Sequence, residues 1–163
     1  MKETDNQTRN HDHDPTLSVE KRTRLHEPDH DYELDHVANE SISKDNPYPF
    51  PHHKLDAYHV ALELARACQA LAAKIPRGYR SLADQLNCAG ASIVLNVSEG
   101  ANKFSPGDKR RSFSHAQGEC GEVAGAAELA MTLSLVSPTE THALLVLAGR
   151  EAAMLTGLIN RLR

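Results

Sequence analysis

The sequence predicts an all-α protein: an antiparallel up-down four-helix bundle over residues 54–163, preceded by a disordered, acidic, His-rich tail over residues 1–53. Three observations carry this expectation. From Leu55 onward apolar residues recur at alternating three- and four-residue steps, as in helices that bury one face. Ser105-Pro106 and Ser137-Pro138 each have an acidic residue three positions after the Ser, Asp108 and Glu140, which is how helices start. The composition also shifts near residue 53: residues 1–53 carry 6 basic and 12 acidic side chains and the rest 12 and 10, so the net charge of -4 divides into -6 and +2.

In the tail, Pro15, Pro28, Pro47, Pro49 and Pro51 punctuate a segment poor in aliphatic residues. Such a segment buries too little apolar surface to offset the entropy of ordering it. Leu34, Val37 and Ile42 are too few to hold a helix around Tyr32 to Ile42 unaided. His11-Asp12-His13-Asp14, His26, His30, His52 and His53 are competent metal ligands, but a flexible cluster binds weakly and unselectively, so solvated imidazoles are expected. The tail's negative charge can also fold back over a basic surface and mask it.

The first helix is expected over Leu55 to Ile75, with Ala57, Val60, Leu64, Cys68, Leu71 and Ile75 inward. Tyr58, Leu62, Ala65 and Ala72 widen its apolar arc, so it should make contact on two sides. Pro76 and Gly78 break it, and a second helix runs from about Tyr79 to Glu99 on Leu82, Leu86, Ala89, Ile93 and Val97, with Gly100 as its stop. Gly90 inside it disfavours the helix by about 1 kcal/mol against Ala, tolerable where a neighbouring backbone comes close. The third helix starts at Ser105 and buries Phe113, Ala116, Cys120, Val123, Ala127 and Met131, while Gly118, Gly121 and Gly125 leave one side almost bare backbone. Glycines so spaced allow close helix approach. The fourth, Pro138 to Arg163, has Leu145, Ala148, Ala152, Leu155, Ile159 and Leu162 as its stripe. Four amphipathic helices joined by short loops bury these stripes most simply as an up-down bundle.

At 163 residues the chain has room for one ordinary domain and its tail. Cys68, Cys88 and Cys120 are too scattered for a metal cage or a disulfide framework and read as buried free thiols. No apolar leader opens the sequence and no run of roughly 18 apolar residues suits a membrane span, so a cytoplasmic protein with no membrane partner is expected. No convincing strand precedes a glycine-rich phosphate loop, and Ser92, Ser98 and Ser112 have no evident His partner. Neither enzyme activity nor a cofactor is expected.

Two stretches resemble a known family. "LDAYHVALELA" (Leu55 to Ala65) is similar to the opening helix of the small four-helix-bundle proteins encoded by intervening sequences in bacterial 23S rRNA genes. "QLNCAGASIVLNVSEGANK" (Gln85 to Lys103) resembles that family's hallmark in Gln85, Leu86, Ala89, Ser92, Ile93, Asn96, Glu99 and Gly100, with Lys103 standing for a common Arg. Cys88 and Val94-Leu95 depart from the pattern, and "AQGECGEV" (Ala116 to Val123) matches the third-helix motif only in Ala116, Gly118, Glu122 and the apolar Val123. The chain is similar as well to the accessory protein of diversity-generating retroelements, a ring-shaped pentamer with a basic surface that engages a reverse transcriptase and RNA. The resemblance implies a homo-oligomer, five-fold by that likeness, with RNA or a ribonucleoprotein as partner.

The basic cluster Lys103, Lys109, Arg110 and Arg111, which Arg77 and Arg80 join if the two loops lie close, is the candidate nucleic-acid-binding surface, because Lys and Arg on phosphates release condensed counterions. Cations in a helix's first turns oppose its dipole, so another benefit is sought for them. Against the reading stand a bundle charge of only +2 and no aromatic interleaved for base stacking; of Phe104 and Phe113, which flank the run, one or both are expected in the core. His115, Glu119 and Glu122 share a helix side, but no other helix supplies a Glu-x-x-His partner, so a polar strip is expected rather than a metal site. Gln85, Ser92, Asn96, Glu99, Gly100, Gly118 and Glu122 are read as structural, with Asn96 or Glu99 tying the loop to the third helix. The expected function is therefore a non-catalytic helical adapter or binding module; the alternatives are a purely structural self-associating bundle and a bundle-core metalloprotein.

Overall fold

A computed structural model of the chain describes residues 50–163. The expected tail, its His clusters and the Tyr32 to Ile42 segment lie outside the described residues, save for Phe50 to His53. Four helices fill the described part and no strand occurs in it: α1 (Asp56–Ala72), α2 (Arg80–Asn102), α3 (Pro106–Thr132) and α4 (Pro138–Arg161). Short 3-10 turns at Pro51–Lys54 and Arg77–Tyr79 precede α1 and α2.

All six residues of the α1 stripe are buried. The helix ends at Ala72, three residues before the expected Ile75, because Pro76 disfavours helical backbone at the residue before it. The last residues tighten into a turn, with the Lys74 and Ile75 amides donating to the Leu71 and Ala72 carbonyls at 3.0 and 3.1 Å. In α3 the Ser105 hydroxyl accepts from the Asp108 amide at 3.2 Å. In α4 Ser137 and Glu140 complete a reciprocal capping box. Glu140 is held down to about 2, first by the Lys74 ammonium and then by Ser137, so this exposed pair also joins the end of α1 to the start of α4.

Each helix packs on its neighbours in sequence, and α4 returns to α1. Across α2 and α3, Gln85 meets Glu122, Ser92 meets Glu119 and Gly100 meets Phe113; partner numbers fall as the first rise, so the pair is antiparallel. This arrangement is compatible with the up-down order. Leu64, Leu86, Ile93, Val97, Val123, Leu144 and Leu155 are fully buried between the four helices.

Three local expectations need correction. Gly100 does not stop α2, which continues to Asn102. It is buried under a ring: a Cβ there would lie 2.6 Å from Phe113 Cε1, so the position is a close approach rather than a cap. Gly90 does the expected job, since a Cβ would sit 3.3 Å from the backbone Cα of Ala65 and 3.1 Å from Cys68 Cβ and Sγ. Gly118, Gly121 and Gly125 are exposed, and a Cβ at any of them would meet nothing within 4 Å, so no helix among the described residues closes on that side. Cys68 and Cys120 are buried as expected, whereas Cys88 is exposed.

In α4 the inward stripe is rotated from the expected one. Thr141, Leu144, Ala148, Glu151 and Leu155 are buried, and Leu145 is only half-buried. By length and mean hydropathy α4 is the one helix among the described residues apolar enough to cross a membrane, yet this stripe packs in the bundle.

Candidate functional site

Both α2 and α3 deliver their functional side chains to one end of the bundle, because the three-residue link Lys103 to Ser105 turns the chain back at once. Lys103 is the C-cap residue of α2, and its ammonium pairs with Glu99 at 3.0 Å. The half-buried Lys109 reaches from α3 to the Ala101 carbonyl at 3.4 Å, supplying a cation to the open carbonyl end of α2. That contact accounts for Lys109 in the first turn of α3: what it loses against the positive dipole end of α3 it regains at the negative end of α2 beside it. Arg110 and Arg111 are exposed and enter no ion pair among the described residues.

Arg77 and Arg80 do not join the cluster. They precede α2 or open it, while Lys103 follows it, and a helix of 23 residues separates the two groups by about 35 Å at 1.5 Å per residue. Arg80 pairs with Asp84 along its own helix at 3.7 Å. The end that holds Lys103 gains other cations instead. Arg161 and Lys109 line one cavity of about 350 Å³ with Pro51, Leu55, Phe113 and Leu158; Arg161 and Lys54 border another beside Asp56 and Ala57.

Beside the cluster lies a polar cleft of about 310 Å³, formed by Asn96, Glu99, Lys103, Asp108, Arg111, Ser112 and His115. Its volume lies within the range of small-ligand sites. Phe113 is the core aromatic, 3% exposed, whereas Phe104 is 101% exposed on the loop beside Lys103. The basic run therefore does have an aromatic within it.

Of the motif residues, Asn96 and Glu99 line the cleft, while Gln85, Ser92 and Glu122 lie farther along the α2–α3 seam. Gln85 donates to Glu122 at 2.6 Å and Ser92 to Glu119 at 2.9 Å, tying α2 to α3. Asn96 bonds back to the Ser92 carbonyl and hydroxyl, and Glu99 to Lys103. The cross-tie expected from Asn96 or Glu99 is thus made by Ser92 and Gln85. With Glu119 and Glu122 accepting from α2 and His115 on the cleft, the three do not converge, and no metal-holding group occurs among the described residues.

His52, which the sequence reading left in the tail, anchors the entry to the same end. It is 9% exposed, and its Nδ1 accepts from Asn102 Nδ2 at 2.8 Å and faces Ser98 Oγ at 3.1 Å. An amide N–H aimed at Nδ1 requires that nitrogen unprotonated. Burial, and then the neighbouring His53, accordingly lower the basicity of the ring. Phe50, 59% exposed, stacks on His52 with centroids 5.5 Å apart at 12°.

The sequence reading missed Glu151. Its side chain is fully buried on α4, and neither carboxylate oxygen has a hydrogen-bond partner among the described residues. Burial pushes it up to about 7, against a small opposing pull from Arg150. It raises Cys120 in turn: burial first, then Glu151, lift that thiol to about 12, and burial lifts Cys68 to about 11. Both thiols stay protonated and unreactive at neutral pH.

A family model described as 23S rRNA-intervening sequence protein matches residues 53–157. That span takes in the basic loop, the cleft and the polar ties between α2 and α3. No curated protein matches the chain significantly.

Proposed function

The chain belongs to the 23S rRNA-intervening sequence protein family, and from that premise we propose that it is a non-catalytic, self-associating adapter that binds RNA or a ribonucleoprotein partner through the basic end of its bundle. The observation that carries this reading is the gathering of Lys103, Lys109, Arg110 and Arg111 where α2 ends and α3 begins, with both arginines exposed and free of ion pairs among the described residues. Unpaired guanidinium groups in water are ready phosphate ligands, and binding through them is sensitive to salt and blind to sequence.

The test is a filter-binding titration of RNA at low salt. Lys103→Ala/Arg110→Ala/Arg111→Ala is expected to weaken binding by about tenfold or more, with Lys109 kept because it caps α2. Arg77→Ala/Arg80→Ala, a helix length away, is expected to bind as the wild type does. Equal retention of RNA by all three proteins overturns the reading.

Self-association has its own support. In the most apolar 18-residue window of α4 only 22% of the residues are buried in the single chain, and the Gly118, Gly121 and Gly125 side of α3 is open. An apolar helix so thinly covered suits contact with further copies, five in a ring by family likeness. Native mass is expected to give a multiple of 17.9 kDa, and Gly118→Ala/Gly121→Ala/Gly125→Ala to reduce it. If that variant keeps its mass and gains about 2–3 kcal/mol of stability, as alanine in an open helix predicts, the glycines are plain surface.

A further inference from the structure

We infer that the basic end of the bundle takes unpaired nucleotides, with Phe104 as a stacking platform for a base and Lys103 and Arg111 on the adjoining phosphates; this rests on the nucleic-acid reading above and names its ligand class. Phe104 is the most exposed large apolar residue among those described, at 101%. The core position at this end is filled by Phe113, 3% exposed, so the ring of Phe104 adds nothing to the packing of the described residues. A phenyl ring held wholly in water, beside Lys103 and across a short turn from Arg110 and Arg111, is explained by a flat partner that lies on it.

Phe50 strengthens the case independently. It is 59% exposed and stacked on His52, whose ring is fixed to Asn102, two residues before Phe104. Two exposed aromatics thus lie at the end of α2 among the cations of the loop. Aromatic rings interleaved with Lys and Arg are what sequence-tolerant binding of single strands needs, since every base has a face to stack. A duplex keeps those faces inside its own stack and offers Phe104 nothing. The polar cleft opens beside the loop, where the donors Asn96, Lys103, Arg111 and His115 face the carboxylates of Glu99 and Asp108, so a sugar-phosphate chain is held on its Lys103 and Arg111 side.

The experiment uses the full chain, a uridine dodecamer, the same length of duplex RNA and a thymidine dodecamer, read by fluorescence anisotropy at low salt. Phe104→Ala is expected to weaken binding of both single strands by about fivefold or more, the loss of one stacked base, and to leave duplex binding unchanged. Phe104→Trp should restore it. Tyr79→Ala, which removes an aromatic 43% exposed at the other end, should change nothing, and quenching of a 2-aminopurine in the strand should vanish with Phe104→Ala alone. Equal affinity of wild type and Phe104→Ala for single strands overturns the inference while leaving phosphate binding standing. So does a change in native mass with RNA binding intact, which makes Phe104 a contact between copies. If no strand binds at all, the nucleic-acid reading falls and this inference falls with it.

Discussion

Replacing Glu151 by Met is expected to stabilise the bundle increasingly as pH rises, with a gain that grows by about 3 kcal/mol between pH 4.5 and pH 8. The reason is the burial of a carboxyl group with no hydrogen-bond partner among the described residues. Unfolded, the group titrates at its ordinary value near 4.5; folded, it is pushed up to about 7. The native state therefore holds the proton more tightly than the unfolded chain. Below pH 4.5 both states are protonated and the group takes nothing from stability. As pH rises toward 7 the unfolded state gains by ionising in water while the native state cannot, and stability falls until the folded carboxyl also ionises. Cys120 and Cys68 stay outside this window because their thiols are raised to about 12 and 11. Met keeps the length of Glu and removes the charge. Urea unfolding of both proteins at pH 4.5, 6 and 8 measures the gap directly, and a gap that does not change with pH contradicts the account.

Gly100→Ala is expected to destabilise the bundle by about 2 kcal/mol, although alanine is the better helix former. The new Cβ would lie 2.6 Å and 2.8 Å from Phe113 Cε1 and Cδ1, so that ring, 3% exposed in the core, must shift to admit it. Overpacking of this kind costs about 1–3 kcal/mol, and the helix propensity gained returns about 1, so taking the upper figure leaves a net loss and a fall in Tm of about 10 °C. Phe113→Leu in the same chain should recover much of the loss, because the pair shares one contact. Thermal melts of the two single variants and the double variant measure the coupling; additive effects contradict the close approach.

These two residues mark where the sequence could be read and where it could not. The α1 stripe is legible to the last residue because its six inward positions recur at three- and four-residue steps even within a broad apolar arc. Gly100 was misread because a glycine near a helix end fits two physical roles, a left-handed cap and a close approach, and only the neighbouring ring distinguishes them. Glu151 was invisible because α4 is apolar around most of its circumference, so periodicity does not fix which arc faces in, and a lone Glu is assigned to solvent by default. Its register with Leu144, Ala148 and Leu155 was the signal present in the sequence. The basic loop is legible from composition, but Arg77 and Arg80 do not belong with it, because the 23 residues of α2 put them at the other end of that helix. Phe104 and Phe113 are equal core candidates in the sequence because two Phe residues flanking one helix start look alike until packing chooses between them.

The basic end of the bundle as a nucleic-acid surface is tested most directly by the salt dependence of single-stranded RNA binding, with the logarithm of affinity plotted against the logarithm of salt concentration. Lys103→Ala/Arg110→Ala/Arg111→Ala should show a slope shallower than the wild type by about 2, the release of counterions from three phosphates on a single strand. Parallel lines, or a wild type with no slope, would mean that these cations touch no phosphate.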